Sequence, residues 1–432
     1  MLLRALTLVA LAAPVAAAAD LPPEPAIPAK LTLGGALELF RAHGLDLLIA
    51  EATAEAAAGD AMVAGAIQNP SVTGGYYHSF FQDNAFETHN GWFAGLGDSN
   101  AIIDTLSGKR GLRRSVADAA LAAARLGRAD AQRTLELQVK ETYYQAVAAG
   151  EALELAHETA ESTTHTFDLN QIRYKSGAIS EVDLSRTETA KLEADQAIDA
   201  ATLALRTAKV QLAFLLGQRH AYNDFAIDAE QLRSTTPVAL ESTSAAALVA
   251  RAIETRPDLR AQESQRARAA QSVALAKRQR FPDFGLGAQY TEQGTGSNAI
   301  SPPTLEISLT GTLPLFYQQQ GEIKKAEADA RTQDAQAAKL RAQVVADVEN
   351  AFAGYQTAQH QVQRMEGRLL ERAGRARQLV ELQYQKGAAS LLEYLDAQRT
   401  YVAIKGEYIQ DLTAYWNAIF QIEAATATQV VP

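Results

Sequence analysis

The residues best placed to do chemistry in this 432-residue chain are two acids in the string Glu393-Tyr394-Leu395-Asp396. Spacing of i, i+3 puts Glu393 and Asp396 on one face of a helix. Read alone, the pair is an ordinary helix start, because acids suit the positive end of the helix dipole. Catalysis finds no footing: no phosphate loop, nucleophile elbow or cysteine nucleophile is present. His43, His78, His89, His157, His165, His220 and His360 are scattered, with no pair at i, i+4 on one helix and no carboxylate cluster at ligand spacing. Three methionines, one of them the initiator, exclude a methionine ladder for copper or silver. The chain is expected to be no enzyme, with no cofactor and no tightly held metal.

The acids follow one of two related strings that organise the chain. Tyr174-Lys-Ser-Gly-Ala-Ile-Ser180 and Tyr384-Gln-Lys-Gly-Ala-Ala-Ser390 are offset by 210 residues and share four of seven positions. Gly177 and Gly387 sit where a helix ends on a residue tolerant of positive φ. Ser180 and Ser390 sit where the next helix wants an oxygen for its first free N–H groups. Two helical hairpin tips are therefore expected, at about 175–180 and 386–390.

The flanks repeat as well. Short helices are expected over 32–43, with Thr32 as cap, and over 46–68, halted by Asn69-Pro70. Two strands follow, about 71–82 and 92–105, rich in Gly, Tyr, Phe and Ile. From Lys109 to Lys175 the helical pattern runs almost unbroken, which at ~1.5 Å per residue spans ~100 Å. A return helix occupies 181–217. The order then recurs: helices over 243–255 and 258–281, strands over 284–292 and 304–313, a long helix over 319–386 and a return helix over 390–427. Asp46-Leu47 aligns with Asp258-Leu259 at an offset of 212. In each repeat the second helix and the return helix together (46–68 with 181–217, then 258–281 with 390–427) nearly match the length of the long one, so four rod-like columns are expected. Alanines along the long helices permit the close approach that a coiled-coil wall requires.

Met1–Ala19 reads as a secretory signal, with Arg4 its only charge and small residues before Asp20. Its removal leaves 39 basic against 50 acidic residues, a net −11. That balance argues against nucleic acid and offers no basic face to anionic lipid. No cysteine occurs, which excludes disulfides, thiolate metal sites and lipid attachment through an N-terminal Cys. The chain thus divides into a signal (1–19), a Pro-rich strap (20–30), a first repeat (31–217), a connector (218–240), a second repeat (241–427) and a tail (428–432). No later stretch approaches the ~18 apolar residues of a membrane helix. Strands of about ten residues can cross a bilayer when tilted, but a spanning sheet must close. Four strands fall short of the roughly eight in the smallest barrels, so the barrel must be shared between chains. The expected class is mainly α with membrane β, in an outer-membrane oligomer.

This ordered set, duplicated over about residues 30–427, resembles the TolC family of outer-membrane efflux factors. The resemblance implies a homotrimer with a twelve-stranded β-barrel that continues into a helical periplasmic tunnel. It implies partners too: a periplasmic adaptor and an inner-membrane transporter of the resistance-nodulation-division type, with outer-membrane lipid around the barrel. Gln68-Asn69-Pro70 and Leu106-Ser-Gly-Lys-Arg-Gly-Leu-Arg113 resemble the branch that serves cobalt–zinc–cadmium exporters, which implies divalent metal as cargo. Drug efflux or type I secretion through the same fold is the alternative. By resemblance, Glu393 and Asp396 match an acidic ring at the periplasmic aperture. Tyr384 and Asp183 match a latch that holds neighbouring helices shut, and Gly177, Ser180, Gly387 and Ser390 lie where the adaptor docks. The latch often includes an arginine two residues after the second tip glycine, where this chain has Ala389. A different class, a periplasmic coiled-coil adaptor or scaffold, would account for the helices and leave the strands without purpose. An exported enzyme has no visible site.

Overall fold

The computed structural model describes residues 21–78, 90–220, 222, 224–228, 232–240, 243–293 and 302–430. The expected signal, the 79–89 and 294–301 links and the last two residues lie outside them.

Each repeat opens the same way. Helices α1 (Leu33–His43) and α6 (Ala245–Thr255) are both 11 residues long. The hydroxyls of Thr32 and Ser244 accept the N–H groups of Gly35 and Ala247, three residues on, which satisfies a donor that the helix start leaves free. Helices α2 (Leu45–Gly65) and α7 (Pro257–Arg278) follow. After strands β2 (Ser71–His78) and β3 (Asn90–Gly97) come the six-residue α3 (Ala101–Leu106), the 67-residue α4 (Lys109–Lys175) and the return helix α5 (Glu181–Leu215). The second repeat supplies β5 (Phe284–Gln293) and β6 (Thr304–Gly311), then α8 (Gln320–Arg364), α9 (Leu370–Gln385) and α10 (Leu391–Thr426).

Three expectations are corrected. The strand expected over 92–105 stops at Gly97, and α3 occupies its second half. Asp98-Ser99-Asn100 makes the break: Ser99 and Asn100 take positive φ, and the Asp98 carboxylate accepts the N–H groups of Asn100 and Ile102. The helix expected over 319–386 is divided by a π-turn, Met365–Leu369, in which Leu370 N–H reaches back five residues to Met365 O. There Met365 enters the core while Glu366 accepts hydrogen bonds from Ser234 Oγ and Tyr408 Oη, at 2.7 Å each. The connector, expected to be irregular, instead pairs with the end of the extended strap as a short parallel sheet of β1 (Lys30–Leu31) and β4 (Ala226–Ile227). Tyr143 Oη ties that sheet to α4 by donating to Leu31 O and Asp228 O at 3.2 and 3.3 Å.

The main core lies at this level, where Tyr144 meets Trp416 and Phe420 with ring centroids 5.3 and 5.1 Å apart. Away from it the molecule is thin. Strands β2–β3–β5–β6 form one antiparallel sheet in that order. Directly opposed residues share a face, and the rows Val72–Leu96–Ala288–Ile307 and Gly74–Ala94–Tyr290–Leu305 are apolar. The alternate rows, Thr73–Gly95–Gln289–Glu306 and Ser71–Gly97–Gly287–Ser308, are polar or glycine. A Cβ on Gly95 would stand 2.7 Å from Thr73 Oγ1, so the glycine lets that hydroxyl lie against the sheet. The apolar face is bare, with Ile307 78% exposed. That alternation is the dyad pattern of a membrane barrel strand. Among the described residues no helix is long and apolar enough to cross a membrane.

The helices continue the strand order. Neighbours run α2–α4–α7–α8 near the sheet and α5–α4–α10–α9 toward the hairpin tips. Sheet and helical wall are therefore open on the same two sides.

Candidate functional site: the hairpin tips

Both hairpins end in the same hydrogen-bond pattern. Gly177 and Gly387 share φ +75°. Gly177 N–H donates to Tyr174 O and Ala178 N–H to Arg173 O, at 2.9 and 2.8 Å; Gly387 and Ala388 do the same to Tyr384 and Gln383, at 3.0 and 2.8 Å. These are Schellman closures, which satisfy carbonyls that a helix end would leave free. No atom lies within 4 Å of a Cβ built on either glycine, so the demand there is for backbone conformation and not for space.

The next helix starts on Ser180 or Ser390. Ser180 Oγ accepts Asp183 N–H at 3.2 Å and donates to Asp183 Oδ2 at 2.9 Å. Ser390 and Glu393 form a full capping box: Ser390 Oγ accepts Glu393 N–H, and Glu393 Oε2 accepts Ser390 N–H at 2.7 Å. Backbone and hydroxyl donors of Ser390 hold the Glu393 carboxyl below its ordinary range. Within the chain Glu393 and Asp183 are thus spent on caps. Asp396 stands exposed on α10, beside a 640 Å³ groove between α5 and α10 that Arg186, Leu395 and Arg399 also line.

Within the chain, Tyr384 and Asp183 have separate partners: Asp183 is held by Ser180, and Tyr384 turns to α4. Tyr384 Oη donates to Asn170 Oδ1 on α4 at 2.7 Å, and its ring stacks on Tyr394 with centroids 5.2 Å apart. Tyr394 Oη in turn bonds Ser162 and Thr166 of α4 at 3.1 and 3.0 Å. Where the arginine after the second tip is absent, Arg173 approaches from α4. Its guanidinium lies 5.2 Å from the Tyr384 ring centroid, and its NH2 donates to Gln385 O at 2.9 Å. Ala389 packs with Tyr384, Leu391 and Tyr394.

A polar seam therefore joins α4 to α9 and α10. Asn170 Nδ2 and both amide atoms of the buried Gln398 have no hydrogen-bond partner within the chain. Farther from the tip, Glu158 of α4 takes Lys405 and Arg377 at 2.7 and 3.1 Å, and the Lys405 bond above all lowers its carboxyl pKa. Buried amides left unmatched are costly, so the seam is held by a few strong contacts around under-satisfied groups. Asn170, Arg173 and Tyr394 escaped the sequence reading. One signal was available: Asn170 is polar where its repeat equivalent, Val380, is apolar.

Two separate stretches, residues 36–218 and 248–428, match the family of outer membrane efflux proteins. The chain belongs to that family. As a member it is an outer-membrane efflux duct with a periplasmic portion, and not an enzyme. Among curated relatives, the cobalt-zinc-cadmium resistance protein CzcC of Cupriavidus metallidurans is 25% identical, over 91% of this chain and 89% of its own. The pyoverdine export outer membrane protein OpmQ of Pseudomonas putida is 26% identical, over 84% and 79%. The solved outer-membrane channel OprN shares the fold, with a TM-score of 0.77 at 21% identity, covering 93% of this chain and 91% of that one. Among the described residues of this efflux protein, no cluster of three or more metal-ligating side chains occurs.

Proposed function

We propose that three copies of this chain close into one passive conduit, with the four strands of each forming a twelve-stranded barrel above a helical tunnel. One observation carries the reading: sheet and helical wall end at the same two open edges, β2 with α2 and β6 with α8. Unpaired edges in a membrane must be closed. Two copies would give eight strands, whose interior side chains fill; three leave a lumen, which the polar rows of the sheet would line. Repeats 31–217 and 241–427 each supply half of a protomer's wall.

The tips are the inward aperture, and Gly177, Ser180, Gly387 and Ser390 form the surface offered to a periplasmic adaptor, which links to an inner-membrane transporter. Asp396, repeated three times about the axis with Glu393 beside it, supplies the cation-favouring ring. The cargo we infer is divalent metal, since the CzcC match covers more of both chains than the OpmQ match. Processing after residue 19 leaves an N-terminus without a lipid-bearing cysteine.

The test is a sensitivity panel on a strain lacking the protein, comparing cobalt, zinc and cadmium with siderophore, dyes and antibiotics. Sensitivity confined to organic compounds would remove the metal assignment and keep the duct. In single-channel recordings, the Glu393→Ala/Asp396→Ala double variant is expected to lose cation preference; unchanged selectivity would remove the ring.

A further inference from the structure

The linker from β3 to α4 and the linker from β6 to α8 hold equivalent places in the two repeats, but only the first is clamped onto another repeat. Asp98 Oδ1 accepts Leu286 N–H at 2.8 Å, and Lys109 Nζ donates to Phe281 O and Asp283 Oδ1 at 2.7 Å each. The first linker thereby closes over the turn between α7 and β5. Its counterpart, residues 312–319, exposes Leu313, Leu315, Phe316 and Tyr317, with Phe316 98% exposed. Among the described residues its bonds stay within the second repeat: Tyr317 Oη donates to Glu322 Oε2 at 2.6 Å, and Gln318 Oε1 accepts from Arg280 NH2 at 3.2 Å.

The other open side carries a matching deficit. Helix α7 lies against both α4 and α8, whereas α2, its equivalent, lies against α4. Ala261 and Leu275 of α7 are half-buried, while the residues 212 earlier, Ile49 and Val63 of α2, are exposed, and Met62 and Ile67 beside them are exposed too. Strand β2 begins, and β6 ends, at the helix-side margin of the sheet. Joining the β6 edge of one copy to the β2 edge of another brings the two bare patches to the same level.

We propose that linker 312–319 of one copy closes over the α2–β2 turn of the next, seating Leu315 and Phe316 against Met62, Val63 and Ile67. The clamp that Asp98 and Lys109 make inside the chain is repeated between chains, with apolar burial in place of directed hydrogen bonds. Apolar burial is non-directional, which suits a joint made after each copy has folded. The occupant is a second copy and not lipid, because inside the chain the equivalent turn is covered by the equivalent linker. This inference rests on the multi-copy reading above.

The chain has no cysteine, so introduced thiols are unambiguous. Full-length protein carrying Val63→Cys and Phe316→Cys, purified in detergent and treated with a short bis-maleimide, is expected to give covalently linked chains on a denaturing gel. Neither single variant should do so. Light scattering on the same samples reports the mass. Bimane attached to the thiol of the Phe316→Cys single variant, in vesicles containing brominated lipid, reports membrane contact. A three-chain mass without cross-linking, or with strong bromine quenching, overturns the clamp and leaves the oligomer standing. A single-chain mass overturns both. As a second measure, a water-soluble maleimide should label the Phe316→Cys thiol about tenfold more slowly in the assembled protein than after dissociation, as expected where a site is reached only by local opening. Equal rates would also overturn the clamp.

Discussion

The two hairpin tips share a seven-residue plan and the same closing hydrogen bonds, yet Tyr174 is 40% exposed and its equivalent Tyr384 only 7%. Capping is local chemistry: a glycine at φ +75° and a serine three residues on close each turn whatever lies nearby. The tyrosines differ because α4 runs beside the second hairpin and presents Asn170 and Arg173 to it. One plan thus yields an unencumbered tip and a fastened one.

The comparison breaks most sharply at the tyrosines. Tyr384→Ala is expected to cost the second hairpin about 3 kcal/mol, the usual range for a large buried aromatic. Tyr174→Ala should stay within about 0.5 kcal/mol. Hydrogen exchange of the tip amides measures both, and equal effects would erase the distinction. Next in size, Gly177→Ala and Gly387→Ala should each cost about 1 kcal/mol, because an alanine at positive φ is disfavoured by that order. Here the tips should agree, and a gap larger than about 0.5 kcal/mol would show that packing constrains one glycine.

Arg173→Ala removes one ring contact and one hydrogen bond, an effect of about 0.5–1 kcal/mol at a partly exposed site. It should raise exchange around Gln383–Gln385 and leave residues 181–186 unchanged. The smallest expected effect is acidification. Glu393 binds its proton less readily folded than unfolded, so its contribution is present above the ordinary glutamate value of 4.5 and fades as pH falls below it. Exchange at 391–394, corrected for its intrinsic pH dependence, should rise on that descent. In Glu393→Gln the rise should vanish.

Much of this architecture was legible because the signals are short-range. Thr32, Ser180 and Ser390 name their helix starts, the two glycines name the tips, and the 212-residue offset names the repeat. The misreadings share a cause as well. Asp98-Ser99-Asn100 ends a strand through one carboxylate, whose turn bonds override the apolar Ile102 and Ile103 that follow. The π-turn at Met365–Leu369 adds one residue to a helix without breaking its pattern, and the partners that meet Glu366 there, Ser234 and Tyr408, are distant in sequence.

The sequence by itself determined most helix starts, both hairpin tips, the repeat, and that four strands could not close a barrel within one chain. Those follow from periodicity and from backbone groups that neighbours within a few residues must satisfy. Tertiary structure alone decided who meets whom: Tyr384 with Asn170, Arg173 with the Tyr384 ring and Gln385, strap with connector. Such choices depend on how long helices lie side by side, where residues over 200 positions apart come within hydrogen-bond reach, and no local pattern records that distance.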